Sequence, residues 1–345
     1  MMSFTVRISL PGRLGLLPIR DSEGNAVASQ TMHFLLQSGE GKHQRRMGLG
    51  RKSRISVLRN NVEVSLYPTR DRDIVDSPWP KLLGEKHRLT TLEIPEHEHV
   101  NFCLHLQISG NPELNWWWNS RNGVERTAPG ALILLPPGTR DRLVWEGSSE
   151  RFVISLEANF VRDFAEEIKH GLQPSFRPRW HLRDEPLRAL LGEVGREAVE
   201  GWPLGALYAD LLGHSLTTLL LTRHAEETIT LPPLRGGLST KTLKASLEFI
   251  TDNLHRDLPL SEIASVAGLS PFHFTRLFRN ATGQTPHQYL LDQRLRRAED
   301  LLRSSYLPIS QIGSDVGFST HGHFARTFRK REGITPTAWR DAQWS

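Results

Sequence analysis

The feature that most constrains this chain is a stretch that repeats at a spacing of 49 residues. Residues 260–286 (LSEIASVAGLSPFHFTRLFRNATGQTP) align with residues 309–336 (ISQIGSDVGFSTHGHFARTFRKREGITP) when Gly322 is taken as an insertion, and 13 of the 27 pairs are identical. Such self-similarity means that one supersecondary unit is used twice. Each copy has a short apolar-periodic segment, a glycine (Gly268, Gly317), an apolar residue (Leu269, Phe318), a serine (Ser270, Ser319) and a second segment ending at Gly-x-Thr-Pro. Glycine takes the left-handed conformation that ends a helix, and the apolar residue then tucks the turn into a core. Ser270 followed by Pro271 is an N-cap with proline at the first helical position. The grammar is that of a helix-turn-helix.

The second segment of each copy divides into two faces. In the first, Phe274, Leu277, Phe278 and Ala281 recur at helical spacing and predict a buried stripe, with His273 at its border. Phe272, Thr275, Arg276 and Arg279 are left on the other side, and no acid occurs from 271 to 282. In the second copy Phe324 and Phe328 take the core role. His321, His323, Arg326, Arg329, Lys330 and Arg331 make its remaining surface basic, with Glu332 only at the end. Two basic helices at equivalent places in a repeat, with no acid before Glu332, suit a polyanion partner better than a solvated surface. Between them, residues 286–303 predict a connecting helix about 27 Å long. That is near the roughly 34 Å between successive turns of the major groove on one face of DNA.

These residues resemble a known family. Over residues 243–340, the runs LSEIASVAGLS, FTRLFR, GQTPHQYLLDQRLRRAEDLL, ISQIGSDVGFST, HFARTFR and GITPTAWR are similar to the DNA-binding domain of AraC-type (AraC/XylS) transcriptional regulators. The resemblance implies an all-α domain over 241–345, of two helix-turn-helix units joined by a long helix, that binds double-stranded promoter DNA in two adjacent major grooves. It also implies a small-molecule effector, a homodimer and, as a further candidate partner, RNA polymerase. Base-edge contacts would map to Phe272, Thr275 and Arg276 in the first unit and to His321, His323 and Arg326 in the second. Arginine can bond guanine bidentately, histidine can donate or accept, and a phenyl ring can pack on a thymine methyl. Ser270, Arg279, Thr320, Arg329 and Lys330 would contact phosphate, which positions without specifying. Two departures weaken the second unit: Gly313 stands where the first copy has Ala264, and Gly322 falls where a side chain could have read a base.

Ahead of this domain, residues 89–157 run in short β-like segments separated by turns, predicting a small antiparallel barrel or sandwich. Residues 130–141 (GALILLPPGTRD) are similar to the second cupin motif, and His97-Glu98-His99 resembles the histidine pair of the first. The fold class expected is therefore α+β: a cupin-like antiparallel barrel with helices over 61–227, a linker at 228–240, then the helical domain. His97, His99, Phe102, Trp118 and Trp145 are the candidates for an effector pocket, which such domains line mostly with apolar groups. Asp141 stands where a metal-binding cupin has its third histidine, and no Glu follows His99 at the cupin spacing, so neither metal nor cofactor is expected. The leucine-rich stretch 203–224 predicts a helix that packs on the barrel or forms a dimer seam.

Composition adds compartment and charge. Residues 1–60 carry 10 basic and 3 acidic side chains, residues 61–240 carry 19 and 25, and residues 241–345 carry 14 and 10. A basic first segment, poor in periodicity, predicts disorder, with an overextended reading frame and a start at Met47 as an equal alternative. Cys103 is the single cysteine, which excludes an intrachain disulfide framework and favours a reducing compartment. Apolar runs such as 131–135 fall far short of the roughly 20 residues a bilayer span needs, so no membrane is expected and the location expected is cytoplasmic. The reading is a promoter-binding regulator under effector control and not an enzyme; the alternative is a metal-dependent cupin enzyme fused to a DNA-binding domain.

Two substitutions separate specifying from positioning contacts. Arg276→Ala is expected to weaken specific binding by about 1–3 kcal/mol and relax one base position, whereas Arg329→Ala lowers affinity evenly and flattens the salt slope. Binding measured on a panel of operator variants at several salt concentrations checks both, and equal behaviour of the two variants would reverse the assignment.

Overall fold

The computed structural model describes residues 55–67, 72–74, 77–231 and 236–344. The barrel region forms two six-stranded antiparallel sheets. In chain order the strands are β1 (Ser56–Arg59), β2 (Val62–Ser65), β3 (Arg72–Ile74), β4 (Leu82–Leu89), β5 (Leu92–Glu98), β6 (Phe102–Gly110), β7 (Glu113–Trp118), β8 (Arg121–Arg126), β9 (Leu132–Leu135), β10 (Arg140–Glu146), β11 (Ser149–Leu156) and β12 (Arg179–Leu182). One sheet has the order β2-β1-β5-β10-β7-β8 and the other β12-β9-β6-β11-β4-β3. The predicted sandwich is present and extends further upstream: residues 56–59, assigned from sequence to a disordered segment, form β1 and pair with β2 and β5. Met47 and the rest of 1–54 lie outside the described residues, as does 232–235 of the expected linker.

Strand alternation sorts the second sheet into two faces. Phe102, Leu104 and Leu106 of β6, with Ile154 and Leu156 of β11, face a helical layer, while Cys103 and Val153 face the sandwich interior. The layer consists of α1 (Ala158–Ile168), α2 (Glu185–Glu200) and α3 (Gly205–Leu219), whose end widens into a π-helical turn at Leu220–His224. Asp184 caps α2 by accepting the Leu187 amide at 2.9 Å, Pro186 opens its first turn, and Gly201 ends it at φ 82°. Much of the leucine-rich helix packs within the chain. Leu212, Leu216 and Leu220 join the sheet-facing core, and Leu207 joins the core of the C-terminal domain.

The C-terminal domain follows as α4 (Thr240–Asp252), α5 (Leu260–Val266), α6 (Pro271–Thr282), α7 (Pro286–Ser304), α8 (Ile309–Asp315), α9 (His321–Glu332) and α10 (Pro336–Trp344). The connecting helix α7 begins with a capping box between Thr285 and Gln288. Both helix-turn-helix units close in the same way. Gly268 (φ 65°) and Gly317 (φ 91°) end the first helix, then Leu269 N–H donates to Ala264 O at 3.1 Å and Phe318 N–H to Gly313 O at 2.9 Å. After that point the copies slip by one residue. Ser270 caps α6, but Thr320, not Ser319, caps α9 through the His323 amide at 3.2 Å. The inserted residue therefore sits in the turn, at Ser319, and Gly322 is the structural counterpart of Phe272. Gly313 also acquires a reason: a Cβ there would lie 3.0 Å from the Phe324 ring, so glycine lets α9 seat closely on α8.

Close approach also governs α2. A Cβ on Gly195 would lie 2.2 Å from the Phe152 ring, inside any real contact. Gly195→Ala gains roughly 1 kcal/mol of helix propensity but is expected to lower stability by about 1–3 kcal/mol net through overpacking. Urea unfolding of the full chain checks the sign.

Candidate nucleic-acid interface and sensor interior

The two N-caps bring Arg276 and Arg326 into equivalence, since each follows its cap, Ser270 or Thr320, by six residues. His323 then corresponds to His273, not to a base-reading position, and its side chain is buried beside the Phe318 ring at 5.2 Å. Burial, with Arg326 and Arg294 nearby, pushes its pKa down to about 4. This corrects the expectation that His323 reads a base: like His273, with which it pairs wherever the inserted residue is placed, it lies on the core side of its helix. His321, at the first helical position, is exposed, as are Arg279, Arg329 and Lys330. Ser270 and Thr320 serve as caps.

Phe272 is covered in this arrangement. It is 6% exposed and belongs to the apolar cluster of the sandwich's helical layer, its ring edge-on to Phe164 of α1 at 4.8 Å between centroids. The Arg276 guanidinium lies 5.2 Å over the Phe272 ring, and Thr275 Oγ1 donates to Pro271 O at 2.9 Å. On the second unit Arg326 Nη2 donates to Glu200 Oε2, at the end of α2, at 3.0 Å, and Ser319 Oγ donates to Pro203 O at 3.1 Å. The Ala206 amide at the start of α3 donates to Asp257 Oδ1 at 2.8 Å. Both α6 and α9 are thus engaged, through Phe272, Arg326 and the preceding Ser319, by the helical layer of the N-terminal domain. A groove of about 770 Å³ runs along this junction, lined by Leu190, Tyr208, Leu211, Phe272 and Arg276 among others. Neither Phe164 nor Glu200 stands out in the sequence, because nothing local marks a residue that meets a distant helix.

The effector candidates divide between layers. Phe102 faces the helical layer and stacks edge-on with Phe176 at 4.9 Å, so it does not line the sandwich interior. This corrects its assignment to the pocket, and the cause is the alternation of β6. His97, His99 and Trp145 are buried inside, and Trp118 packs there half-buried. Trp145 stands four residues along β10 from Asp141, about 13 Å away at strand spacing. It packs under the Arg151 guanidinium at 3.4 Å and not beside the histidines.

Around the histidines the interior is polar. Asp141 is directly opposite His97 in the β10–β5 register. His97 Nε2 lies 3.1 Å from His99 Nε2, and Asp141 Oδ1 lies 3.3 Å and 3.4 Å from these two nitrogens. His97 Nδ1 donates to Pro95 O at 2.9 Å, and Trp180 Nε1 donates to Asp141 Oδ2 at 3.0 Å. Burial, then His99, push the His97 pKa down to about 4. Further along, His105 sits between Cys103 Sγ at 3.3 Å and Tyr67 Oη at 3.4 Å, and His87 pairs with Glu85 at 2.7 Å. Burial pushes the Cys103 thiol up and His105 down, so both are neutral. Trp180, which stacks on Trp116 at 4.1 Å, was missed in the sequence because β12 is a short strand isolated after α1.

Comparison with known proteins agrees with both halves. Residues 80–216 match the profile described as an AraC-like ligand binding domain, and residues 263–342 match a helix-turn-helix domain. The HTH-type transcriptional activator RhaR of Shigella dysenteriae is 31% identical over 213 residues, covering 61% of this chain and 67% of RhaR. A probable transcriptional regulator, LumQ of Photobacterium leiognathi, is 36% identical over 91 residues, 26% of this chain and 37% of its own. The RhaR of Escherichia coli matches over 58% of its length, so several of these alignments span well under two thirds of the relative. Among solved structures, an AraC-type regulator from Chromobacterium violaceum is 34% identical, covering 30% of this chain and 92% of its own, at a TM-score of 0.29. The DNA-binding domain of AdpA, solved with a target DNA, is 30% identical over 29% of this chain and 91% of its own, at 0.29. These relatives regulate transcription and are not enzymes, and among the described residues no helix is long and apolar enough to cross a membrane. With a ligand-binding domain joined to a double helix-turn-helix domain, the chain belongs to the AraC family of DNA-binding transcriptional regulators.

Proposed function

We propose that the chain reads promoter DNA with α6 and α9 and that the arrangement described above is its non-binding state. The observation that carries this is the double engagement of the reading helices: Phe272 in the apolar layer beside Phe164, and Arg326 paired with Glu200. A helix cannot place these groups in a major groove while α1 and α2 hold them. In the binding state Arg276, Arg326, Thr275 and His321 meet base edges, and Arg279, Arg329 and Lys330 meet phosphates. Ser270 and Thr320, as caps, steady the helix ends that approach the backbone.

A small-molecule effector acts on this equilibrium by its different affinity for the two arrangements, and only to the extent of that difference. Homodimerisation and contact with RNA polymerase belong to the same proposal and rest on family membership alone. A dimer would set two readers at a fixed spacing, so that half-site separation reports its geometry.

Selection from a random duplex library with the full chain tests the reading. An enriched motif of two elements about one helical turn apart supports it; salt-sensitive binding without enrichment would mean that the basic helices hold phosphate only. The restraint itself is tested by Glu200→Arg, which puts like charge beside Arg326. An exposed pair of this kind contributes about 0.2–1 kcal/mol, so operator affinity measured by fluorescence anisotropy is expected to rise by roughly 1.5- to 5-fold. Unchanged affinity would show that the pair does not hold α9.

A further inference from the structure

The interior of the sandwich brings three side-chain donor atoms of metal-ligand type together. His97 Nδ1 lies 2.9 Å from Pro95 O, and a carbonyl only accepts, so the proton of a neutral His97 is on Nδ1 and its Nε2 presents a lone pair. Asp141 Oδ1 presents another, and it is buried with no hydrogen-bond partner although Oδ2 takes the Trp180 indole at 3.0 Å. These two atoms are 3.3 Å apart. His99 Nε2 completes the triangle at 3.1 Å and 3.4 Å. With both imidazoles neutral, a proton on His99 Nε2 can satisfy one of the other two atoms, and the contact between His97 and Asp141 then sets one lone pair against another. Side chains 0–1% exposed have no water to relieve this.

We infer that His97, His99 and Asp141 form a binding site for a divalent first-row transition ion of the zinc or iron(II) class. The ligand atoms all lie within 4.8 Å of one another, the only such group of three or more among the described residues. Their separations of 3.1–3.4 Å are those of donors sharing one ion: with bonds of about 2.1 Å they subtend roughly 95–108° at the metal, close to tetrahedral. Two imidazoles and a carboxylate suit such ions. The outer contacts also have the usual form. His97 donates its other ring N–H to a backbone carbonyl, and the carboxylate's second oxygen is held by an indole N–H, itself fixed by the stack of Trp180 on Trp116. The register that sets Asp141 opposite His97, with His99 two residues further on, builds the triangle from two paired strands before any ion arrives.

The test uses the full chain without a histidine tag, stripped with chelator and dialysed against Zn²⁺ or Co²⁺. One ion per chain by mass spectrometry, visible d–d bands in the Co²⁺ form and a Zn²⁺-dependent rise in Tm are expected. Asp141→Asn keeps an acceptor for Trp180 and places an amide N–H toward His97, so it is expected to fold, to retain less than a tenth of the ion and to lose the Co²⁺ bands, as is His99→Ala. X-ray absorption of the Zn²⁺-loaded wild type, which does not depend on any variant folding, is expected to show a shell of nitrogen and oxygen with two imidazoles. No retained ion, an unchanged ion content in Asp141→Asn and His99→Ala, or a shell with a different imidazole count overturns the assignment.

Discussion

The arrangement of the described chain depends on one continuous apolar layer. It starts on the outer face of β6 and β11, runs through α1, α2 and α3, and ends at Phe272, a residue of the first reading helix. Leu207 closes the junction from the other side by entering the core of Phe274 and Phe278. Burying a ring such as that of Phe272 contributes roughly 1.5–3 kcal/mol, and the Leu207 contact and the hydrogen bonds of Arg326, Ser319 and Ala206 add to it.

Glycines set the distances in this layer. Gly195 admits the Phe152 ring and Gly213 admits Trp79, each at a place where any Cβ would overlap the aromatic carbons. Helix propensity is given up at both sites in return for closer packing of helix on sheet and strand connection. The same exchange recurs in the second helix-turn-helix, where Gly313 seats Phe324. What reads in the sequence as a weakened helix is a packing device.

The sandwich interior presents the opposite chemistry. Tyr67, Glu85, His87, His97, His99, His105, Asp141 and Arg151 are all buried there. Most find partners among themselves; of the buried atoms that do not, His87 Nδ1, Arg151 Nε and Asp141 Oδ1, the last lies between two histidine nitrogens. A low-dielectric interior makes unpaired acceptors costly, which is why this cluster points to a bound cation and not to apolar packing alone.

The sequence by itself determined the helical domain, both turns, the basic character of the reading helices and the antiparallel sandwich, because each rests on signals within a few residues: caps, glycines, a period of 3.6 or of 2. It determined the resemblance to the AraC family for the same reason. Only the tertiary structure decided the rest. The insertion belongs to Ser319 and not Gly322, since cap geometry and not identity sets the register of α9. Phe102 faces outward because strand β6 is read against both of its neighbours. Phe272 and Arg326 meet Phe164 and Glu200, residues more than 100 positions away in the chain, and Asp141 meets His97 across a ladder. Contacts of that separation leave no periodic trace in either partner, so no reading of one segment reveals them.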